Sequence, residues 1–276
     1  MFSYQHFIWL GICILLQPCY YFLFKKVLKK LNFNQFLYLS AAIVLVLELI
    51  LNFGMMYYVP YAENNKMYGY YAPYFEPRDF PLHLCSIQFI TLFFAAHTKN
   101  EKLKKALLSF LYPTTIFGGI IATIIPDVFT YKTPIDWWMS QSFISPVYYS
   151  FFIVHSYLVY VGFRIGTNKE IDFHFKDNFK GSSILLGLGV LSLFVNSIFT
   201  VVERDPDTGV VTKIISNSNL FFTYDLPISG IVLTEKWQWI IYFFILIFLV
   251  VIIFMLFYIP FYIKDRKTKK LQTINQ

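Results

Sequence analysis

Seven long apolar stretches dominate the sequence and constrain its fold more than any other feature. They cover, in order, residues 4–24, 37–59, 81–97, 105–125, 144–163, 182–202 and 237–263. A helix needs about 20 apolar residues to cross the hydrocarbon core of a bilayer, and the third stretch is the one that is clearly shorter. The sequence therefore predicts an all-α bundle of seven transmembrane helices that forms a single domain over residues 1–276.

The composition agrees with a membrane protein and excludes several other classes. Hydrophobic residues make up 57% of the chain and charged residues 14%, which is roughly half the charged share of a typical soluble domain. A soluble globular enzyme, a disordered tail and a nucleic-acid-binding domain are excluded, so no nucleic-acid partner is expected despite the net charge of +7. Cys13, Cys19 and Cys85 lie in apolar stretches without a zinc-like spacing, which predicts neither a disulfide framework nor a metal site.

The distribution of basic residues predicts the orientation in the membrane. The segments 25–35, 98–105 and 164–181 and the C-terminal tail hold 17 of the 23 lysines and arginines. Because these residues concentrate in cytoplasmic loops, we expect an outer N-terminus, a cytoplasmic C-terminus and a multi-pass protein of the cell membrane. No basic residue precedes Lys25, so the first stretch is interpreted as an uncleaved helix and not as a signal peptide.

The loops on the predicted outer side are aromatic and acidic, as suits a membrane–water interface. The longest contains the run VVERDPDTGVVT (201–212), which predicts two short strands around an Asp-Pro-Asp-Thr-Gly turn. Arg78 lies just ahead of the third stretch. It is either an interfacial arginine or a group that binds a lipid phosphate.

Few polar side chains lie inside the predicted spans, and each is a functional candidate because it is costly there. Glu48 and His155 lie near mid-membrane, Asn52 follows Glu48 by one helical turn, and Asn196 lies towards the outer end of the sixth span. Glu48 is either a protonated acid bonded to a neighbouring helix or a group that orients a histidine or relays protons. His155 is either a packing histidine or a general base.

Cys85 differs from the other cysteines in its polar surroundings. His83 precedes it by two residues, and Gln88 follows within one turn. The predicted span places Cys85 one turn into its helix, near an N-terminus that favours a thiolate. The helical rise then puts Cys85 about 6 Å and His155 about 15 Å below the outer end of their helices. Glu48 and His155 therefore match better in depth than Cys85 and His155 do.

The order of these motifs resembles a known family. The most specific piece is FPLHLCSIQ (80–88), followed by Pro126-Asp127, by FFIVHS (151–156) and by Asn196 in the sixth span. In this order the chain resembles the bacterial YwaF-like integral membrane proteins, which are similar to the eukaryotic transmembrane protein 164 family of lipid acyltransferases. The resemblance covers nearly the whole chain.

The resemblance implies acyl transfer between membrane lipids, with Cys85 as the nucleophile and His155 as the base. Asn196, Gln88 or the free N–H groups at the start of the third helix would stabilise the oxyanion. Asn219 is a candidate substrate-binding residue, in a region (203–242) that keeps only the outline of the family pattern. The expected partner is a membrane phospholipid or lysolipid, and no cofactor is expected.

Two other classes of function stay open from the sequence. Glu48 and His155 could serve a proton-coupled small-solute transporter, for which Gly118-Gly119 would supply a break in the fourth helix. The chain could also be a non-catalytic membrane scaffold, in which Cys85 and His155 only pack. Acyl transfer requires Cys85, whereas a proton relay depends on Glu48.

Overall fold

The computed structural model describes residues 4–54, 57–63, 66–72, 83–126, 143, 145–205, 208, 211–216, 233 and 235–274, with the side chains of 52–72, 212–216 and 273–274 outside this description. This part of the chain contains seven α-helices and two small antiparallel sheets. The helices are α1 (Tyr4–Phe22), α2 (Phe33–Gly54), α3 (Ile87–His97), α4 (Glu101–Ile124), α5 (Pro146–Gly166), α6 (Asp177–Ile198) and α7 (Lys236–Ile274), and a π-helix (Leu23–Val27) continues α1.

Each predicted span overlaps one of these helices, but several predicted ends were wrong, and α7 extends from Lys236 to Ile274, well beyond the predicted end at residue 263. α2 ends at Gly54, so the second span was drawn too long. α6 ends at Ile198, before the predicted end at residue 202. α3 begins at Ile87, six residues later than predicted, because residues 83–86 form turns instead of helix. The all-α fold class is confirmed.

Two hairpins account for the strands. β3 (Thr200–Arg204) pairs with β4 (Val211–Ser216), with an irregular register at Arg204, and this confirms the hairpin predicted around the Asp-Pro-Asp-Thr-Gly turn. β1 (Tyr57–Glu63) pairs with β2 (Lys66–Ala72). The second pair was not predicted, although both of its strands are rich in tyrosine, a residue that favours strands.

Among the described residues, five helical segments are long and apolar enough to cross a membrane. They are Tyr4–Val27, Phe33–Leu51, Glu101–Ile124, Asp177–Ile198 and Lys236–Gln272. α3 is apolar but has only 11 residues. α5 has 21 residues, but tyrosines, serines and a histidine interrupt its apolar sequence. The predicted count of seven spans and the predicted orientation stay predictions.

The chain forms two compact units. Unit 1 comprises Met1–His97 and Thr114–Arg164, and unit 2 comprises Thr98–Pro113 and Ile165–Gln276. α4 contributes its second half to unit 1 and its first half to unit 2.

α5 lies at the centre of unit 1, and α1 runs parallel to it. Trp9 stacks on Phe152 with 4.9 Å between ring centroids. Two turns further along α1, the Gln17 amide donates to the Ser156 carbonyl at 2.9 Å. Residue numbers therefore rise in the same direction along the two helices. Trp9 and Gln17 are eight residues apart, which is about two helical turns, so one face of α1 makes both contacts.

α2 packs against α5 in the opposite direction. The hydroxyls of Ser40 and Tyr157 are 2.9 Å apart, and the Ser150 hydroxyl donates to the Leu47 carbonyl at 3.0 Å. Numbers rise along α2 as they fall along α5. A chain that crosses a bilayer repeatedly must alternate in this way, with α1 and α5 parallel and α2 opposed to both.

A buried carboxylate organises the charged end of unit 2. The Asp177 side chain is fully buried and lies 2.8 Å from the ammonium groups of both Lys105 and Lys180. Its other hydrogen bond comes from the backbone N–H of His174 at 2.9 Å. Two cations and an N–H thus compensate the cost of burying this charge.

The loop between α5 and α6 is bound to α7 by a second set of charges. His174 places one ring nitrogen 3.0 Å from Asp172 and the other 2.8 Å from Asp265. Lys264 donates to Asp172 at 2.6 Å, and this hydrogen bond holds the pKa of the Asp172 carboxyl below its usual range. Asp172 therefore stays ionised at neutral pH and keeps its contact with α7.

Candidate functional site

A buried stripe along α2 positions Glu48. Its members are less than a tenth exposed and recur every three or four residues: Phe33, Phe36, Leu37, Ser40, Ala41, Val44 and Glu48. This spacing puts them on one helix face, so Glu48 points into unit 1. A buried carboxyl group needs a hydrogen-bond partner, and the Ser86 hydroxyl supplies it.

Cys85 lies in a turn that leads into α3, and not one turn inside the helix as predicted. The carbonyl of His83 accepts the N–H of Ile87 at 2.9 Å, and the carbonyl of Cys85 accepts the N–H of Gln88 at 3.4 Å. The depth comparison based on helical rise does not apply, because Cys85 precedes the regular helix. The N–H groups of Cys85 and Ser86 come before this ladder, and neither bonds a backbone carbonyl of the described residues.

The Cys85 thiol is half-buried beside α2 and α4. A Cβ atom added at Gly118 of α4 would lie 3.6 Å from the sulfur. On the α2 side, the Glu48 carboxyl is near enough to the thiol for the two groups to interact electrostatically. Sequence reasoning paired Glu48 with His155, whereas its described contacts are with the cysteine turn.

His155 lies in the middle of α5 and is 5% exposed. Its Nδ1 atom is 2.6 Å from the Phe151 carbonyl oxygen. Because a carbonyl oxygen only accepts, Nδ1 must carry the hydrogen, and in a neutral imidazole Nε2 is then the proton acceptor. The Phe151 ring also packs on the imidazole, with 4.3 Å between centroids. Phe151, and not Glu48, therefore orients the ring at Nδ1 in the tautomer that a general base needs.

Two adjacent glycines of α4 contact both candidate catalytic residues. Gly118 lies against the Cys85 sulfur, and a Cβ at Gly119 would lie 2.5 Å from the His155 carbonyl oxygen and 2.7 Å from Cγ2 of Val159. Small residues permit this close approach of membrane helices. The helix break proposed at these glycines was wrong, because α4 is continuous from Glu101 to Ile124. Two consecutive glycines in an apolar helix were the signal for close packing.

Gln88 is fully buried on α3. Its Nε2 group donates to the Leu84 carbonyl at 2.8 Å and to the Thr114 hydroxyl at 3.2 Å. An amide has two N–H donors, and both are engaged here, so the oxyanion role of Gln88 stays a prediction that would require one of these bonds to break. Its Oε1 atom is buried without a hydrogen-bond partner among the described residues.

Three of the other predicted site residues lie wholly or partly outside the described residues. Asn196 is buried near the end of α6 in unit 2, where its carbonyl accepts the Thr200 hydroxyl at 2.7 Å. Asn52 lies in the last turn of α2, but its side chain, like Arg78 and Asn219, lies outside the described residues. Within the described ranges, no group of three or more His, Cys, Asp or Glu side chains could hold a metal ion.

The two glycines predict opposite effects of one added methyl group. Gly118→Ala fits without a clash and gains about 1 kcal/mol of helix propensity, so the folded state should be no less stable. The methyl group would occupy space beside the sulfur. We expect alkylation of Cys85 by a maleimide to slow about tenfold, since overpacking costs about 1–3 kcal/mol. Peptide mass spectrometry distinguishes alkylation of Cys85 from alkylation of Cys13 and Cys19.

Gly119→Ala is the matched control. Its methyl group meets backbone and a β-branched side chain of α5, so helix propensity cannot offset the clash and the variant should unfold at a lower temperature. Equal melting temperatures for the two variants would contradict the packing of α4 on α5.

Comparison with known proteins identifies a family. A family model described as the TMEM164 family matches residues 1–258, which confirms the resemblance to the transmembrane protein 164 family. No curated protein and no solved structure matches the chain.

Proposed function

Because the chain belongs to the TMEM164 family and has five helices of membrane-crossing length and hydropathy, we propose that this membrane protein is a lipid acyltransferase. It moves a fatty acyl chain between membrane lipids through a thioester on Cys85, with His155 as the base. The observation that carries the proposal is that neighbouring positions of α4 face the two residues: a Cβ atom at Gly118 would lie 3.6 Å from the Cys85 sulfur, and one at Gly119 would lie 2.5 Å from the His155 carbonyl oxygen.

The proposed topology has seven passes in the cell membrane, with the N-terminus outside and the C-terminus in the cytoplasm. The alternating helix directions in unit 1 support it. Unit 2 adds support, because Asp172 joins three segments that the basic-residue distribution assigns to the cytoplasmic side: its backbone carbonyl accepts from the Lys105 ammonium, and its carboxylate accepts from Lys264. α5 is less apolar than the five candidate spans, but most of its residues are buried in the protein, so it need not face lipid.

Acylation begins with proton transfer. Nε2 of His155 removes the proton from the Cys85 thiol, and the thiolate attacks the ester carbonyl of a phospholipid. The ester C–O bond breaks, the acyl chain remains on sulfur, and the departing alkoxide takes the proton back from His155. A lysolipid leaves the site.

The developing oxyanion needs hydrogen-bond donors. The backbone N–H groups of Cys85 and Ser86 are the nearest candidates, because they precede the hydrogen-bond ladder of α3. Glu48 holds Ser86 and so fixes the turn that carries both donors and the thiol. In the second half of the reaction, a lysolipid hydroxyl gives its proton to His155 and attacks the thioester carbonyl, the C–S bond breaks, and the Cys85 thiolate takes the proton from His155.

The test is detection of the acyl-enzyme. Purified protein in phospholipid nanodiscs would be incubated with a phospholipid that carries a labelled acyl chain, then digested for mass spectrometry. We expect an acyl group on the Cys85 peptide that neutral hydroxylamine removes, because hydroxylamine cleaves thioesters. An adduct on another residue, or none under conditions of lipid turnover, would contradict the proposal.

A further inference from the structure

One face of α7 is occupied by contacts with protein. Tyr258 is fully buried and donates to the Ser109 carbonyl at 3.3 Å. Seven residues later, Asp265 gives both carboxylate oxygens to the loop before α6: one lies 2.8 Å from Nδ1 of His174, and the other accepts the Phe175 N–H at 3.0 Å. Because seven residues are about two helical turns, these contacts lie on the same face of α7.

The opposite face of α7 is exposed and changes from apolar to basic along the helix. Its members recur three or four residues apart, which places them on one side of a helix. They are Met255, Ile259 and Ile263, followed by Arg266, Lys267 and Lys270. α7 is long and apolar enough to cross a membrane, so the apolar part of this face is the part that lipid chains would cover. The last three residues, which we call the basic face, continue it on the same side.

The basic face begins at the depth of the lipid head groups. Ile263 is the last residue of the apolar run, and Arg266 and Lys267 follow it by about 4.5 and 6 Å along the helix axis. The polar zone of a bilayer is about 5–7 Å deep on each side of the hydrocarbon core. Lys270 lies about 10 Å beyond Ile263, and the flexible stem of a lysine can bring its ammonium group back towards this zone.

The Arg266 side chain is already oriented on this face. Its guanidinium carbon lies 4.7 Å from the centroid of the Tyr262 ring, and that ring packs on Phe175 with 5.2 Å between centroids. A guanidinium held on an aromatic ring loses less freedom when it binds, and its planar fork matches a phosphate. No acidic side chain of the described residues forms an ion pair with Arg266 or with the two lysines of the basic face.

We propose that this side of α7 binds an anionic phospholipid, whose phosphate lies on the basic face and whose acyl chain runs along Ile259 and Ile263. The three cations select an anionic head group by charge complementarity. The apolar residues in line with them select a lipid over a soluble anion. The site lies on α7 in unit 2 and does not depend on the proposed acyl transfer, so either proposal can fail without the other.

The test measures the lipid affinity of the full chain by native mass spectrometry. Protein in a non-ionic detergent would be titrated with phosphatidylglycerol or with phosphatidylcholine of the same acyl chains. One basic residue near an anionic membrane surface contributes about fivefold in affinity, so three contribute about 100-fold. We expect the variant with Arg266→Gln, Lys267→Gln and Lys270→Gln to bind phosphatidylglycerol about 100-fold more weakly and phosphatidylcholine as the wild type does. Equal affinities of the wild-type chain for the two lipids would overturn the proposal.

A second triple variant is the matched control. Lys99→Gln, Lys102→Gln and Lys169→Gln remove three exposed lysines outside α7, which the basic-residue distribution assigns to the same side of the membrane. The loss of charge is identical, so general attraction between opposite charges predicts equal weakening in both variants, and that result would overturn the site. We expect the control to bind phosphatidylglycerol within about threefold of wild type, and both variants to melt at the wild-type temperature because the replaced side chains are exposed.

The last measurement distinguishes a lipid from a soluble anion. Glycerol 3-phosphate carries a phosphate but no acyl chain, so it lacks the part of the ligand that the apolar residues bind. We expect about a tenfold molar excess of it to leave phosphatidylglycerol bound to the wild-type chain. Displacement of the lipid under these conditions would show that the basic face binds any phosphate, and would overturn the proposed lipid site.

Discussion

A Cys85→Ala variant is expected to lose the hydroxylamine-sensitive acyl adduct and to transfer acyl chains at least about 10³-fold more slowly than wild type, because the thiol is the atom that becomes acylated. Cys85 is half-buried in a turn, so loss of its sulfur should change the melting temperature little. Acyl transfer is measured with labelled phospholipid in nanodiscs. Peptide mass spectrometry shows whether the adduct on residue 85 is lost.

Cys13→Ala is the matched control for the first variant. Cys13 is buried, and its thiol contacts the Phe152 carbonyl at 3.6 Å. Its replacement should lower stability but leave the adduct on Cys85. A Cys85→Ala variant with wild-type transfer would reject the nucleophile. If Glu48→Gln alone abolished a proton-coupled flux, the transporter alternative would be favoured instead.

A His155→Gln variant is expected to form the acyl-enzyme about 10²–10⁴-fold more slowly, the usual contribution of a positioned general base. The adduct should still appear on Cys85, since the nucleophile is intact. Its rate of formation should rise with pH, because solvent must now remove the thiol proton. Labelling reactions that are quenched at fixed times over a series of pH values measure how the rate of acyl-enzyme formation depends on pH.

Ser156→Ala is a suitable control beside His155. The Ser156 hydroxyl bonds to Gln17 at 3.1 Å and donates to the Cys13 carbonyl at 3.3 Å, so its loss weakens the contact between α1 and α5. If Ser156→Ala slowed acylation as much as His155→Gln, the effect of His155 would be one of packing and not of proton transfer.

Hydropathy predicted the number and order of the helices but not where the third begins. The apolar run from residue 81 reads as one helix, yet α3 starts at Ile87. Hydropathy measures partition into an apolar phase and does not distinguish a helix from a buried turn. The hairpin at β3 and β4 was predictable, because its turn residues have specific backbone preferences.

The residue types of the candidate site could be predicted from the sequence, but the side chains that contact one another could not. Depth along a helix matched Glu48 with His155, but equal depth does not place two side chains on facing surfaces. Glu48 contacts Ser86 instead, and Phe151 of the same helix binds His155. Gly118 and Gly119 carry no polar group and so were absent from a search for functional side chains, although they allow α4 to approach both residues.

The placement of α5 at the centre of unit 1 has a consequence for biogenesis. Its tyrosines, serines and histidine disfavour its partition from the translocon into lipid when it is alone. Hydrogen-bond partners of the serines and of Tyr157 lie on α1 and α2, both of which are synthesised earlier. We therefore expect insertion of α5, with His155, to require that the preceding helices stay near the insertion machinery until α5 emerges.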